Sequence, residues 1–251
     1  SVKGRNDFMA HADSRPHDAE IKAVETAIRF QKESGAKTHI THLTTARAAE
    51  LVRDAKQQGQ DTTCDTCPTY LFMTTKDLEK KGAHAKTNPP VRNESDVSAL
   101  WNGIKNNEID IISTDHAPHT IDEKNKIFFD APAGVPGVEM RVPLLLDAVN
   151  NEKITLEAFV KTCSTNPAKR FGLKERGELK EENFADIIVV DMNLEKEVKR
   201  DEQHTKCGWS PYEGRLLKGW PIMTFVNGKL VYDLNKFYEN KGENLFPQPS
   251  S

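Results

Sequence analysis

The 251 residues carry 35 basic and 38 acidic side chains for a net charge of -3, with 37% hydrophobic and 29% charged residues. That balance is ordinary for a folded domain; it gives no reason to expect nucleic acid or an anionic membrane as a partner, and no apolar run approaches the ~18 residues of a membrane span. A chain of this length can bury a sizeable core, so one α/β domain with a small appendage is expected.

Ser1-Val2-Lys3-Gly4-Arg5 lacks the apolar stretch of a signal peptide. It also lacks an initiator Met, which leaves processing, tag removal and truncation open. Four cysteines, Cys64, Cys67, Cys163 and Cys207, do not make a disulfide framework, and a reducing, cytoplasmic setting is expected. Cys64 and Cys67 form a CxxC without a second pair, and read as two small residues along a strand.

In chain order, one unit recurs: a short apolar strand with polar residues at its end, a loop, then an amphipathic helix. Phe8-Met9-Ala10 reads as a strand before His11-Ala12-Asp13. Pro16 to Gly35 reads as a helix with Ala19, Ile21, Ala23, Val24, Ala27 and Ile28 on its apolar face and Gly35 as C-cap. Thr38 to Leu43 is the next strand, followed by a helix from Ala46 to Gln58 capped by Thr44 or Thr45. Asp61 to Cys67 is a third strand, with helices near Lys76–Lys81 and Glu94–Asn106 after it. Ile109 to Thr114 is the fourth, and it opens a Pro- and Gly-rich loop from Asp115 to Gly137; loops of that length inside a domain generally carry function. Helices follow at Val138–Asn150, Thr155–Cys163 and Pro167–Phe171. Ala185–Asp191 and Thr224–Tyr232 are strand signals without comparable helices between them, the second broken by an Asn227-Gly228 hairpin turn. The expected organisation is a partial barrel over 1–176 and a C-terminal β extension and tail over 177–251.

Polar residues at the C-terminal ends of parallel strands are where α/β proteins build their sites. His11, His42 and Asp115 each end a different expected strand, and imidazole nitrogens with a carboxylate oxygen suit Zn²⁺. A strand-end histidine also serves as a loop hydrogen-bonder, so the pattern alone leaves both roles open. His39 and His42 cannot share a face of an ideal strand; His42, nearer the end, is the better ligand, and His39 packs or supports. In Asp115-His116-Ala117-Pro118-His119, Asp115 can both hold an ion and accept a proton from an acidified water, while His119 can face a substrate carbonyl. Lys86-Thr87-Asn88-Pro89-Pro90-Val91-Arg92 is a rigid polar segment in which prolines orient Asn88 and Arg92. Arg15 suits a carboxylate or a surface ion pair. Gly134-Val135-Pro136-Gly137 offers backbone donors but matches neither a P-loop nor a dinucleotide fingerprint. Glu123-Lys124, Glu181-Glu182 and Glu195-Lys196-Glu197 read as solvated charge.

Several stretches together resemble the C-terminal portion of a dihydroorotase of the cyclic-amidohydrolase superfamily: His11-Ala12-Asp13, Arg15-Pro16 with Ala19-Glu20, His39 to Thr45, Lys86 to Arg92, Thr114 to Thr120 with Glu123-Lys124, Ala131 to Glu139, Ser164 to Ala168 and Gly208 to Gly214. The resemblance spans nearly the whole chain. It implies the C-terminal part of a metal-dependent-hydrolase (β/α)8 barrel, with about four βα units present, and reversible hydrolysis of L-dihydroorotate to N-carbamoyl-L-aspartate in pyrimidine synthesis.

The resemblance further implies that His11, His42 and Asp115 ligate one or two Zn²⁺ ions, with Asp115 also the general base. Asn88, His119 and the backbone around Ala133 and Gly134 become contacts to a small-molecule substrate. The family's early His-x-His pair, the arginine after it and the bridging Asp or carboxylated Lys are not in this sequence; they would lie in roughly the first 150 residues of a family member. The chain alone is therefore expected to be inactive, and to act with a missing N-terminal half or as a homo-oligomer. Pro68-Thr69-Tyr70-Leu71 departs from the family's Pro-His-His-Leu, and Asp65-Thr66-Cys67-Pro68 leans toward allantoinases and hydantoinases, which stand as the alternative enzymes. A non-catalytic homologue packing on an active partner is the alternative from a different class.

Overall fold

The computed structural model describes residues 4, 5, 7–234 and 236–245; the Ser1–Lys3 start and residues 246–251 of the tail lie outside them. The first element is a helix, α1 (Met9–Asp13), where the sequence reading expects a strand. Three apolar residues carry too little periodicity to choose between the two, and local bonds decide it. Asp7 accepts the Ala10 amide at 3.1 Å, Arg5 ties Asp7 to Asp13, and Phe8 packs on Phe128 with ring centroids 4.7 Å apart.

α2 (His17–Ser34) starts behind Pro16, carries Asp18 and Glu20 in its first turn, and ends on Gly35 in the left-handed region at φ 70°. These are the start and stop signals that favour a helix: acidic groups near the positive end of the dipole and glycine at the end. β1 (Thr38–Ile40) leads to α3 (Ala46–Gln57), which Thr45 caps by accepting the Ala48 amide. β2 (Thr62–Thr66) is followed by the one-turn α4 (Pro68–Phe72) and by α5 (Thr75–Lys81), which begins with a capping box between Thr74 and Asp77. Asn93 caps α6 (Glu94–Lys105), and β3 (Ile111–Ile112) completes a parallel sheet of order β1-β2-β3. The sheet thus holds three parallel strands rather than four among the described residues.

β1 and β3 are shorter than the apolar runs that encode them. His42 has φ 44° and Asp115 φ 43°, so the chain leaves the extended conformation at each strand exit. Cross-strand pairing nevertheless continues beyond the named strands, with Leu43 donating to the Asp65 carbonyl at 2.8 Å and Ser113 to that of Thr66 at 2.8 Å.

The loop after β3 holds one turn of helix, α7 (Ile121–Lys124), and leads to α8 (Val138–Asn150). α9 (Leu156–Val160) runs through a π turn at Lys161–Thr165 into α10 (Asn166–Phe171). β4 (Ile187–Glu197), β5 (Leu216–Val226), β6 (Lys229–Asp233) and β7 (Lys236–Phe237) form an antiparallel sheet in that order. Asn227 and Gly228, at φ 50° and 75°, make the hairpin turn between β5 and β6, the paired positive φ that a two-residue hairpin needs.

Leu144, Leu145 and Leu146 of α8, Leu100 and Ile104 of α6, Ile112 of β3, Val198 just after β4 and Leu217 of β5 belong to one apolar core. β5 lies so close on α8 that a Cβ at Gly219 would meet the Leu146 Cβ at 2.7 Å. Asn150 stitches the two by donating to the carbonyls of Met192 and Lys218 at 2.9 and 2.7 Å. No helix among the described residues is long and apolar enough to cross a membrane.

Candidate active site

Asp65, near the end of the central strand β2 and 5% exposed, organises all three strand exits. Its Oδ1 accepts the His42 amide at 2.9 Å and the Ser113 hydroxyl at 2.6 Å, and its Oδ2 receives His39 Nε2 at 2.8 Å. His39 is held on its other side by Thr63 Oγ1 at 2.8 Å from Nδ1. His39 and His42, three residues on, both line a cavity of about 470 Å³ with Arg15, Glu20, Pro89 and Arg92; the His39 ring is tied to β2, and the His42 ring is not. Alternation along an ideal strand does not reach His42, which lies past the end of β1 with φ 44°. Below His42, Glu20 accepts the Thr44 and Thr45 amides at 2.9 and 3.0 Å. Arg92, 5% exposed, donates to Thr44 Oγ1 at 3.0 Å and to the Arg15 carbonyl at 2.7 Å. Arg92 thus braces the β1–α3 turn instead of reaching for a ligand.

The loop from Asp115 to Gly137 doubles back on itself. His116 bridges to Val135 in parallel register, Ala117 donates to the Val135 carbonyl at 3.1 Å, and His116 Nδ1 accepts the Gly137 and Val138 amides at 3.0 and 3.2 Å. His119 donates from Nε2 to the Ala133 carbonyl at 3.2 Å. Gly134 sits at φ 134°, where a Cβ would lie 2.6 Å from the Ala117 carbonyl oxygen and 3.2 Å from His119 Nε2; only glycine permits that approach. Its amide donates to the Lys86 carbonyl at 2.8 Å, which joins this loop to the Lys86–Arg92 segment.

Where the two segments meet, His11, Arg15, Lys86, Asn88, Phe129 and Ala133 line a cavity of about 340 Å³. Asn88 is exposed and precedes a cis peptide bond to Pro89; Tyr70, in α4, holds that turn by donating to the Pro89 carbonyl at 3.0 Å. Asn88, His119, Ala133 and Gly134 are thus neighbours in one wall.

His11 stands apart from the expectation that placed it at a strand end beside His42 and Asp115. In α1 it is 4% exposed, its Nε2 donates to the Thr87 carbonyl at 2.9 Å, and its Nδ1 lies 3.2 Å from the Arg15 guanidinium. Burial, and secondarily the nearby Arg15, hold its pKa below the usual imidazole range. Both ring nitrogens are engaged, so His11 in this position does not fit a metal. His42 and Asp115 do fit the donor chemistry of a hard or borderline divalent ion: neither the His42 ring nor the Asp115 carboxylate has a hydrogen bond or ion pair among the described residues. Two donors do not make a site, and among the described residues no three His, Cys, Asp or Glu side chains gather to hold an ion. Cys64 and Cys67 are free and fully buried, and burial pushes the Cys64 thiol up to about 12 and Cys67 up as well; they are inert packing thiols.

The model of the amidohydrolase family matches residues 7–231. The chain belongs to that family. Among curated relatives it is 36% identical over 245 residues to a dihydroorotase of Halobacterium salinarum, covering 98% of this chain and 57% of that protein. It is 40% identical over 219 residues to a dihydroorotase of Pyrococcus furiosus, covering 87% and 50%. Among solved structures it resembles the L-hydantoinase (dihydropyrimidinase) of Arthrobacter aurescens with a TM-score of 0.92 and 31% identity, covering 95% of this chain and 54% of that one. The D-hydantoinase (dihydropyrimidinase) of Thermus sp. gives 0.89 at 26% identity, covering 95% and 54%. The chain spans about half the length of the relatives it matches. Its fold is the mixed α/β fold that resembles the (β/α)8 barrel of metal-dependent hydrolases, present here in part.

For a member of the amidohydrolase family, two features of this site escape a reading of motifs. Asp65 is visible in sequence only as part of Asp-Thr-Cys-Pro, and its role appears once β1 and β3 flank β2. Lys124, read as solvated, is 1% exposed, a correction with a local cause. Thr120 and Glu123 form a capping box that winds α7 so that its last side chain turns inward beneath residues 132–134. Lys124 Nζ donates to the Pro132 and Gly134 carbonyls, both at 2.9 Å, and lies 5.7 Å from the centre of the Trp209 ring. Burial, with the nearby Lys86 ammonium, lowers its pKa to about 8.

Proposed function

We propose that this chain is the C-terminal part of a dihydroorotase that interconverts L-dihydroorotate and N-carbamoyl-L-aspartate. The observation that carries the reading is the wall of Asn88, His119, Ala133 and Gly134, folded together from two segments 31–46 residues apart in sequence, one of them the loop that begins at Asp115. The dihydroorotases among its relatives support the choice of substrate. A cyclic imide with a carboxylate needs donors for its carbonyls; Asn88 supplies an amide, while the His119 Nε2–H is held on the Ala133 carbonyl.

His42 and Asp115 would hold a divalent cation, Zn²⁺ by donor preference, together with ligands from an N-terminal half or another copy of the protein. His11 joins them only where α1 gives way to a strand and its ring leaves Thr87 and Arg15. Such a cation lowers the pKa of a water and polarises a carbonyl. Asp115, unpartnered at its strand exit, accepts the proton from the attacking water and delivers it to the ring nitrogen as the amide C–N bond opens. Asn88 orients the ring through an exocyclic oxygen, and the His119 ring packs beside it.

A second reading, hydantoinase chemistry, is favoured by the TM-score of 0.92 to a hydantoinase and by Tyr70 in the place of a family histidine. Assays of the full-length protein on L-dihydroorotate, hydantoin and allantoin separate the two. Turnover of dihydroorotate alone supports the first; turnover of hydantoin or allantoin without dihydroorotate defeats it. Zinc stoichiometry of the same protein should fall in His42→Ala and in Asp115→Ala, and His11→Ala tests whether α1 rearranges: unchanged zinc there removes His11 from the ligand set.

A further inference from the structure

Lys86 and Lys124 are 7% and 1% exposed, and neither makes an ion pair among the described residues. Their ammonium groups are satisfied by main-chain carbonyls of one short loop. Lys86 Nζ donates to Phe128 at 2.8 Å and to Ala131 at 2.6 Å; Lys124 donates to Pro132 and Gly134. Along 131–134 only the Ala133 carbonyl is left by both lysines, and it is the one that receives His119 Nε2.

Lys124 also reaches the other side of the site. Its ammonium faces the ring of Trp209, whose Nε1 donates to the His119 carbonyl at 2.8 Å. Trp209 is 1% exposed and packs edge-on to His84 with centroids 5.2 Å apart. Two carbonyls and an aromatic face take up the three N–H directions of the ammonium. A buried lysine is tolerated only when so satisfied, and here the satisfaction comes from the two carbonyls that flank Ala133 and from the ring of Trp209.

We propose that Lys124 is a positioning residue: with Trp209 it fixes the His119 backbone and the Ala133-Gly134 strip relative to each other, so that the imidazole and the strip meet the substrate as one rigid surface. Lys124 touches no substrate itself. The inference deepens the proposed function and rests on it only for the kinetic half of its test. A lysine whose sole duty is filling space would be replaced without consequence by methionine, which matches its length and apolar stem but donates nothing.

The test pairs Lys124→Met with Trp209→Phe, the second keeping an aromatic face while removing the bond to His119 together with part of the buried ring. Amide hydrogen exchange, and KM and kcat for dihydroorotate, are measured on the full-length protein. Lys124→Met should speed exchange of amides in 117–120 and 131–135 by about tenfold, the loss of one to two net hydrogen bonds, while α3 and α8 keep their protection. KM should rise about tenfold with kcat changing less. Trp209→Phe should speed exchange near His119 and raise KM in the same direction. Unchanged exchange in both segments, or a uniform rise over the whole chain in Trp209→Phe, overturns the inference. If Lys124→Met does not fold, Trp209→Phe decides alone. If exchange changes as expected but the full-length protein turns over no dihydroorotate, the proposed substrate fails and the positioning role stands.

Discussion

Replacing Asp65 separates its three duties. In Asp65→Ala the His42 amide, the Ser113 hydroxyl and His39 Nε2 all lose an acceptor at 2.6–2.9 Å. Hydrogen bonds to a charged group contribute about 1.5–3 kcal/mol each when buried. His39, His42 and Ser113 are only partly buried, so water recovers some of that, and a total near 3–4 kcal/mol is expected. His42 adds to the effect, because its φ of 44° costs about 1 kcal/mol or more that the Asp65 bond helps to hold. Asp65→Asn keeps an oxygen for His42 and Ser113. Its amide group would face His39 Nε2, which must then accept, leaving Nδ1–H to donate to Thr63; that tautomer is available, so the cost should be only about 1 kcal/mol. Urea unfolding at pH 7 measures both variants, and the exchange rate of the His42 amide reports the local effect. Equal costs for Asn and Ala, or a cost below about 1 kcal/mol for Ala, would refute the reasoning that Asp65 gathers the strand exits.

Lys124 gives a pH signature. Its folded pKa is lowered to about 8 against an unfolded value near 10.5, so between those limits the unfolded chain binds more protons and stability rises with pH. Relative to Lys124→Met, wild-type stability should improve from pH 8 to 10.5 by at most about 3 kcal/mol; denaturation curves showing a constant difference would contradict the shift. Gly134→Ala should destabilise the loop and lower affinity for substrate, since its Cβ would lie 2.6 Å from the Ala117 carbonyl oxygen; a wild-type KM in the full-length variant would show that the strip is not part of the site.

The long helices were legible because both their faces and their ends are written locally: Gly35 after α2, Thr45 before α3, Asn93 before α6. The strand pair β1 and β2 and the Asn227-Gly228 hairpin were legible for the same reason. Phe8–Ala10 was not, because three apolar residues fit strand and helix alike and Asp7 and Phe128 decide between them. In the site, alternation along one strand could not separate His39 from His42, because β1 ends at Ile40 and the chain leaves the extended conformation at His42. The place of Lys124 was not legible either, because its partners lie 8 and 10 residues onward in a loop, and charge in a sequence reads as exposure until those carbonyls are located. Asp65 was hidden similarly: a single aspartate has no pattern, and its partners come from neighbouring strands.

The central claim is that the strand-exit pair and the Asn88–His119 wall open a cyclic amide that carries a carboxylate. Its most direct measurement is the turnover of L-dihydroorotate by the full-length protein, wild type against Asp115→Asn, with metal content determined on the same samples. The account predicts conversion to N-carbamoyl-L-aspartate by the wild type and a loss of at least about a hundredfold in kcat for Asp115→Asn where metal is retained. Wild-type turnover matched by a metal-loaded Asp115→Asn protein, or no turnover of dihydroorotate by a metal-loaded wild type, would contradict it.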